Sequence, residues 1–114
     1  MDLLPIFENA IIPIEKFTEY ALHPVKSRGK FHAFKKAMGY DLENYQKLID
    51  NIRNNINKFP AIPKDDNGFG IRYEVFMKLT GENGKKANVL TGWIVEHESG
   101  KVRLTTAYIT EGRE

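Results

Sequence analysis

Between Ile14 and Leu22 the residues Ile14, Phe17, Tyr20 and Ala21 recur at helical spacing, and Pro13 stands where a first-turn proline is tolerated, so a short helix is predicted there. The segment HPVKSRGK breaks that pattern, because Pro24 disfavours helix at His23 and Gly29 permits a turn. Phe31, Phe34, Ala37 and Met38 then line one face of a second helix, closed by Gly39, which can take the left-handed conformation that ends helices. Asp41 is the expected N-cap of a third helix, whose apolar stripe Leu42, Tyr45, Leu48, Ile49, Ile52, Ile56 and Phe59 runs to Pro60 and faces away from a polar side.

Beyond a predicted surface loop, PAIPKDDNG, the period changes to two. Ile71, Tyr73, Val75, Met77 and Leu79 alternate with Arg72, Glu74, Phe76 and Lys78, and GENGK supplies hairpin-turn chemistry. Ala87 to Glu96 reads as the next strand, ESGK as another turn, and Val102 to Thr110 as the last strand, on which Thr106 and Tyr108 fall in phase with Val102 and Leu104. The expected fold class is α+β: about three N-terminal helices packed on a C-terminal antiparallel meander of three to four strands, forming one domain over residues 1–114.

Composition narrows the chemistry. At 114 residues with no cysteine, the chain has the size of one domain that folds by burial alone, without disulfides or thiolate ligands. Three scattered histidines make a metal site unexpected, and no cofactor is expected. No apolar run approaches the roughly 18 residues that cross a bilayer, and the first residues lack a basic segment followed by a long apolar one. This suits a cytosolic protein, or a domain cut from a longer exported chain whose signal lies elsewhere.

A net charge of +2 is no argument for nucleic acid, but its distribution is uneven. Lys26, Arg28, Lys30, Lys35 and Lys36 fall between positions 23 and 36, where no acid occurs, with His23 and His32 adding charge when protonated. Such a patch attracts phosphate, although a solvated lysine face of a helix has the same composition. There is no Gly-rich phosphate loop, HExxH, paired-cysteine motif or GxSxG, which argues against a nucleotide motor, a zinc protease and an α/β hydrolase. The remaining His, Lys, Arg, Thr and Tyr are the groups that metal-free RNA cleavage uses: a base for the ribose 2'-hydroxyl, an acid for the departing 5'-oxygen, and donors around the phosphorane.

From LPIFENAIIP through HPVKSRGKFHAFKKAMGY to VRLTTAYI, nearly the whole chain resembles a domain of unassigned function found at the C-termini of Gram-positive polymorphic toxins. The features that carry the resemblance are His23-Pro24-Val25, a lysine opening the helix that ends in Gly39-Tyr40, and a last strand reading Thr106-Ala107-Tyr108. The loop KSRGK is one residue longer than the family's usual spacer, so Lys26 and Lys30 compete for the lysine position, and counting back from MGY favours Lys30. At the level of fold, the arrangement is similar to the barnase/EndoU/colicin/RelE superfold of ribonucleases.

What this resemblance implies is a metal-independent endoribonuclease toxin, cleaving RNA, and tRNA above all, by 2'-hydroxyl attack. Its catalytic residues would be His23, Lys30, Thr106 and Tyr108, with His23 moving a proton and Lys30 stabilising phosphorane charge. Lys26, Arg28 and Arg72 would bind substrate, and a cognate acidic immunity or antitoxin protein would cover the basic surface. Two other readings stay open: a non-catalytic module that docks a basic helix face on an acidic protein, and a toxin acting on another nucleotide-containing target. His23 can instead cap the preceding helix, Tyr108 can pack in the core, Arg72 and Glu74 can simply pair across solvent, and His32 and His97 read as surface residues. Trp93 reads first as a sheet-packing residue.

Overall fold

In the computed structural model, which describes residues 1–110, three helical elements in the N-terminal half pack on one face of a four-stranded antiparallel sheet. A π-helical turn at Phe17–Ala21 leads into α1 (Arg28–Met38) and α2 (Tyr45–Asn55), and α2 runs on into a 3-10 turn at Ile56–Lys58. The strands β1 (Ala61–Asp66), β2 (Gly70–Thr80), β3 (Lys86–Glu96) and β4 (Val102–Thr110) follow in spatial order β1-β2-β3-β4, a simple meander. The α+β class, the helices first and the meander second, is what the hydrophobic periodicity predicts.

The core forms where the helix stripes meet the sheet. Phe34 and Met38 of α1, and Leu48, Ile49 and Ile52 of α2, close on Val75, Met77, Leu79, Val89, Trp93, Val102, Leu104 and Ala107. Trp93 is 1% exposed, so it is a packing residue. Its indole N–H donates to Thr91 Oγ1 at 2.8 Å, and the Thr91 hydroxyl donates to the Val75 carbonyl at 2.9 Å, so the buried indole and the buried hydroxyl each have a partner. The C-terminus of α1 is fixed to the β2–β3 turn: Asn83 N–H donates to the Met38 carbonyl at 3.2 Å, and Gly81 passes so close that a Cβ there would lie 2.5 Å from that oxygen. Gly39 ends α1 at φ 78°, as the sequence suggests.

Four local expectations are corrected. Helix α2 begins at Tyr45 with Asn44 as its cap position, because Asp41 is held in the preceding turn: its carboxylate accepts from Glu43 N–H and from Lys35. Leu42 is therefore exposed. The first helix is a wide turn in which Leu22 N–H donates to the Phe17 carbonyl at 2.9 Å, five residues back; it buries Phe17, Ala21 and Leu22 and leaves Ile14 and Tyr20 in solvent. The loop predicted at PAIPKDDNG contains β1, an edge strand, where the missing N–H of Pro63 costs little and exposed side chains hide the alternation.

The fourth correction bears on the site. β4 carries a bulge: Trp93 pairs with Leu104 but Gly92 pairs with Thr106, so Thr105 is an extra residue. Thr106 and Tyr108 therefore fall on the opposite face from Val102 and Leu104, in register with Glu74–Gly92 and Phe76–Leu90 respectively. Before the bulge the outer edge of β4 is covered: Ile11 N–H donates to the Val102 carbonyl at 2.8 Å and Leu104 N–H to the Ile11 carbonyl at 2.9 Å, a short parallel bridge. Beyond it the edge borders α1 and the π-helical turn.

Replacing Thr91 with Val keeps the shape but removes the oxygen that accepts the Trp93 indole N–H. Chemical denaturation should show a loss of about 1–3 kcal/mol. Thr91→Ser, which keeps the oxygen, should lose clearly less.

Candidate functional site

Where β4 leaves the cover of Ile11, Lys30 reaches it from the first turn of α1. The Lys30 ammonium donates to Thr106 Oγ1 at 3.2 Å and lies 5.6 Å from the centre of the Tyr108 ring, within cation–π range. Lys30, Thr106 and Tyr108 thus meet, although Lys30 and Thr106 lie 76 residues apart in the chain. On one side of Lys30 is a cleft of about 140 Å³, lined by Lys16, Tyr20, Ser27, Lys30, Thr105 and Thr106 together with Ala21 and Ala107. On its other side a broader recess is lined by Gly29, Lys30, Ala33, Tyr108 and Ile109.

Burial pushes the Lys30 ammonium below the ordinary lysine value, and the positive charge of Lys16 pushes it further the same way. Neither lysine has an ion-pair partner among the described residues; each instead rests against an aromatic ring, Lys16 at 5.8 Å from the Tyr20 centre. Two unpaired ammoniums beside threonine and serine hydroxyls make a cleft suited to an anion with several oxygens, such as a phosphodiester.

Lys16, Tyr20, Ser27 and Thr105 belong to this cleft and were not singled out by sequence. The wide turn explains Tyr20, since it takes that ring out of the apolar stripe. Thr105 lines the cleft as the bulge residue. No sequence signal marked Lys16, an isolated cation on a short helix.

The other expected residues stand apart. His23 does not line the cleft, and its Nδ1 accepts backbone N–H groups from Val25 at 3.2 Å and Lys26 at 3.0 Å. The role this supports is closing the turn at Pro24. Lys26 is paired with Glu19 at 2.6 Å. Arg28 is exposed with no ion pair among the described residues. Arg72 pairs with Asp65 through two nitrogens and lines a small recess with Lys64 and Glu74 on the far side of Thr105 and Thr106. His32 and His97 are exposed, as expected, and His97 Nε2 lies 2.8 Å from Asp66 Oδ2. Among the described residues no three His, Cys, Asp or Glu side chains come together as a metal site, and no helix is long and apolar enough to cross a membrane.

Fold and site together define a small α+β domain that holds two lysines against the bulged edge strand of its sheet. The chain belongs to the family described as a domain of unknown function, DUF6883, whose sequence profile matches residues 3–111. There is no significant match among curated proteins or among solved structures.

The two threonines of the bulge lie close over glycine 92: a Cβ there would lie 2.8 Å from Thr106 Cγ2 and 3.1 Å from Thr105 Oγ1. In Gly92→Ala, turning Thr106 to clear the methyl takes its hydroxyl away from Lys30. Phosphate affinity, followed by NMR titration of the Thr106 and Lys30 signals, should fall about tenfold, the equivalent of one charge-assisted hydrogen bond. Unchanged affinity would show that the Thr106 hydroxyl takes no part in holding the anion.

Proposed function

We propose that this domain is a metal-independent endoribonuclease, the toxin module of a larger effector that acts on RNA in the cytoplasm of a target cell, with tRNA as its substrate. The observation that carries this reading is the contact of Lys30 with Thr106 beside Tyr108, which unites three residues that the toxin resemblance had marked separately. The docking alternative draws less support, because Lys26 and Lys35 of the expected basic face are already paired with Glu19 and Asp41.

In the proposed reaction a backbone phosphate sits between Lys16, Lys30 and the cleft hydroxyls. The 2'-oxygen bonds to phosphorus and the bond from phosphorus to the 5'-oxygen breaks, giving a 2',3'-cyclic phosphate and a 5'-hydroxyl. Lys30, with its lowered pKa, takes the 2'-hydroxyl proton in its neutral form. Lys16 stays charged and stabilises the phosphorane. The departing oxygen takes its proton from a tyrosine hydroxyl, Tyr20 of the cleft or Tyr108 on the far side of Lys30. His23 moves no proton in this scheme.

Lys30→Met should slow RNA cleavage by 10²-fold or more while the melting temperature holds, since the stem remains and an unpaired, partly desolvated charge is removed. His23→Ala should do the opposite: it loses turn hydrogen bonds and lowers the melting temperature, while cleavage per folded molecule stays. If His23→Ala stops cleavage at full stability, the proton reverts to His23. With Lys30 as base, activity should rise with pH up to its folded pKa, which lies below 10.5, and Lys16→Met should shift that rise to higher pH by relieving the repulsion. The products should carry 2',3'-cyclic phosphate and cleavage should survive EDTA; loss on chelation with recovery on one divalent ion would remove this mechanism.

The cognate immunity protein is expected to be acidic and to cover the lysine cleft. Its affinity should weaken as salt rises and should fall in Lys16→Met, measured by calorimetry at two ionic strengths. A salt-insensitive complex on another face would contradict this.

A further inference from the structure

Gly29 is the second residue of α1, and nothing in the fold explains a glycine there. Its φ is not in the left-handed region, unlike that of Gly39, and a Cβ built on it would meet no atom within 4 Å. Glycine is the poorest helix former after proline, so an alanine at this position would favour the helix and disturb no neighbour. Gly29 borders the recess lined with it by Lys30, Ala33, Tyr108 and Ile109, and a long side chain at this position can reach across it. That recess is about 320 Å³ and mostly apolar, against a cleft of about 140 Å³ on the other side of Lys30 that is mostly polar. The two share Lys30 and no other residue. This open recess, bordered by two small residues, an aromatic ring and an aliphatic side chain, suits a flat apolar body, and the adjoining cationic cleft suits one that carries an anion.

We propose that this recess is a nucleobase subsite, in which the base next to the scissile phosphate lies over Gly29 and Ala33 and stacks on Tyr108 while its phosphate is held by Lys16 and Lys30. The inference rests on the anion cleft of the proposed ribonuclease and adds to it a reason for cleavage at a nucleotide whose base fits the slot. Lys30 divides phosphate from base, so one side chain reads both ends of the same nucleotide. Gly29 and Ala33 set the depth of the slot, and the Tyr108 ring gives the stacking surface.

The test is calorimetric titration of the whole domain with uridine and adenosine 3'-monophosphates, ribose 5-phosphate and inorganic phosphate. At least one nucleotide should bind about tenfold or more tightly than ribose phosphate, in the range of base-on-aromatic stacking. Gly29→Leu fills the slot and also favours the helix; it should abolish that excess, leave inorganic phosphate affinity within about twofold, and raise the melting temperature by a few degrees. Equal binding of nucleotide and ribose phosphate, or an excess that survives Gly29→Leu, overturns the subsite. The same proteins incubated with RNA separate the two ideas. Intact RNA with a nucleotide excess that Gly29→Leu removes rejects the ribonuclease and keeps the base subsite, whereas cleaved RNA without any excess keeps the ribonuclease and rejects the subsite.

Discussion

One extra residue in the edge strand governs where this domain's chemistry can lie. Without Thr105 as a bulge, strict alternation from Val102 and Leu104 would carry Thr106 and Tyr108 into the core, opposite the helices. With it, Ala107 takes the core position and the two polar side chains emerge beside α1. Gly92 on the neighbouring strand leaves room for Thr106 in the rotamer that meets Lys30, because a Cβ there would crowd its methyl. The bulge therefore shifts the ladder by one residue and turns two side chains toward a lysine.

The helix that meets this strand has to be held rigidly, since a desolvated ammonium is costly to place. Phe34 and Met38 anchor α1 in the core, and the Asn83 and Gly81 contacts to Met38 lock its far end to the β2–β3 turn. Lys30 is thereby kept near Lys16 despite their mutual repulsion, and the Tyr20 and Tyr108 rings and the Thr106 hydroxyl offset part of the cost. A well-satisfied core that supports an electrostatically unfavourable cluster is the pattern expected where stability gives way to chemistry.

The long helix and the central strands were legible in the sequence because one side of each is buried and their periods are clean, as in Leu48, Ile49 and Ile52 or Val75, Met77 and Leu79. The bulge was not, because Val102, Leu104, Thr106 and Tyr108 keep perfect two-residue spacing, and an inserted Thr looks no different from a paired one. β1 was hidden by Pro63 and its exposed acids, and the π-helical turn by a stripe that fits an ordinary helix equally well. Of the expected catalytic residues, Lys30, Thr106 and Tyr108 come together. His23 stands apart from them, and a histidine before proline carries the same signature whether its ring faces a substrate or accepts hydrogen bonds from its own turn.

The cleft joins Lys30 to Thr106, 76 residues further along the chain, and synthesis runs in that direction. Lys16 and Lys30 leave the ribosome long before Thr106 and Tyr108, and a nascent chain holds half a cleft until the last strand has been made and has paired with β3. The strand that completes the sheet also completes the site. A chain cut short before Thr106 lacks the groups that face Lys30, so the cleft is complete only when the fold closes.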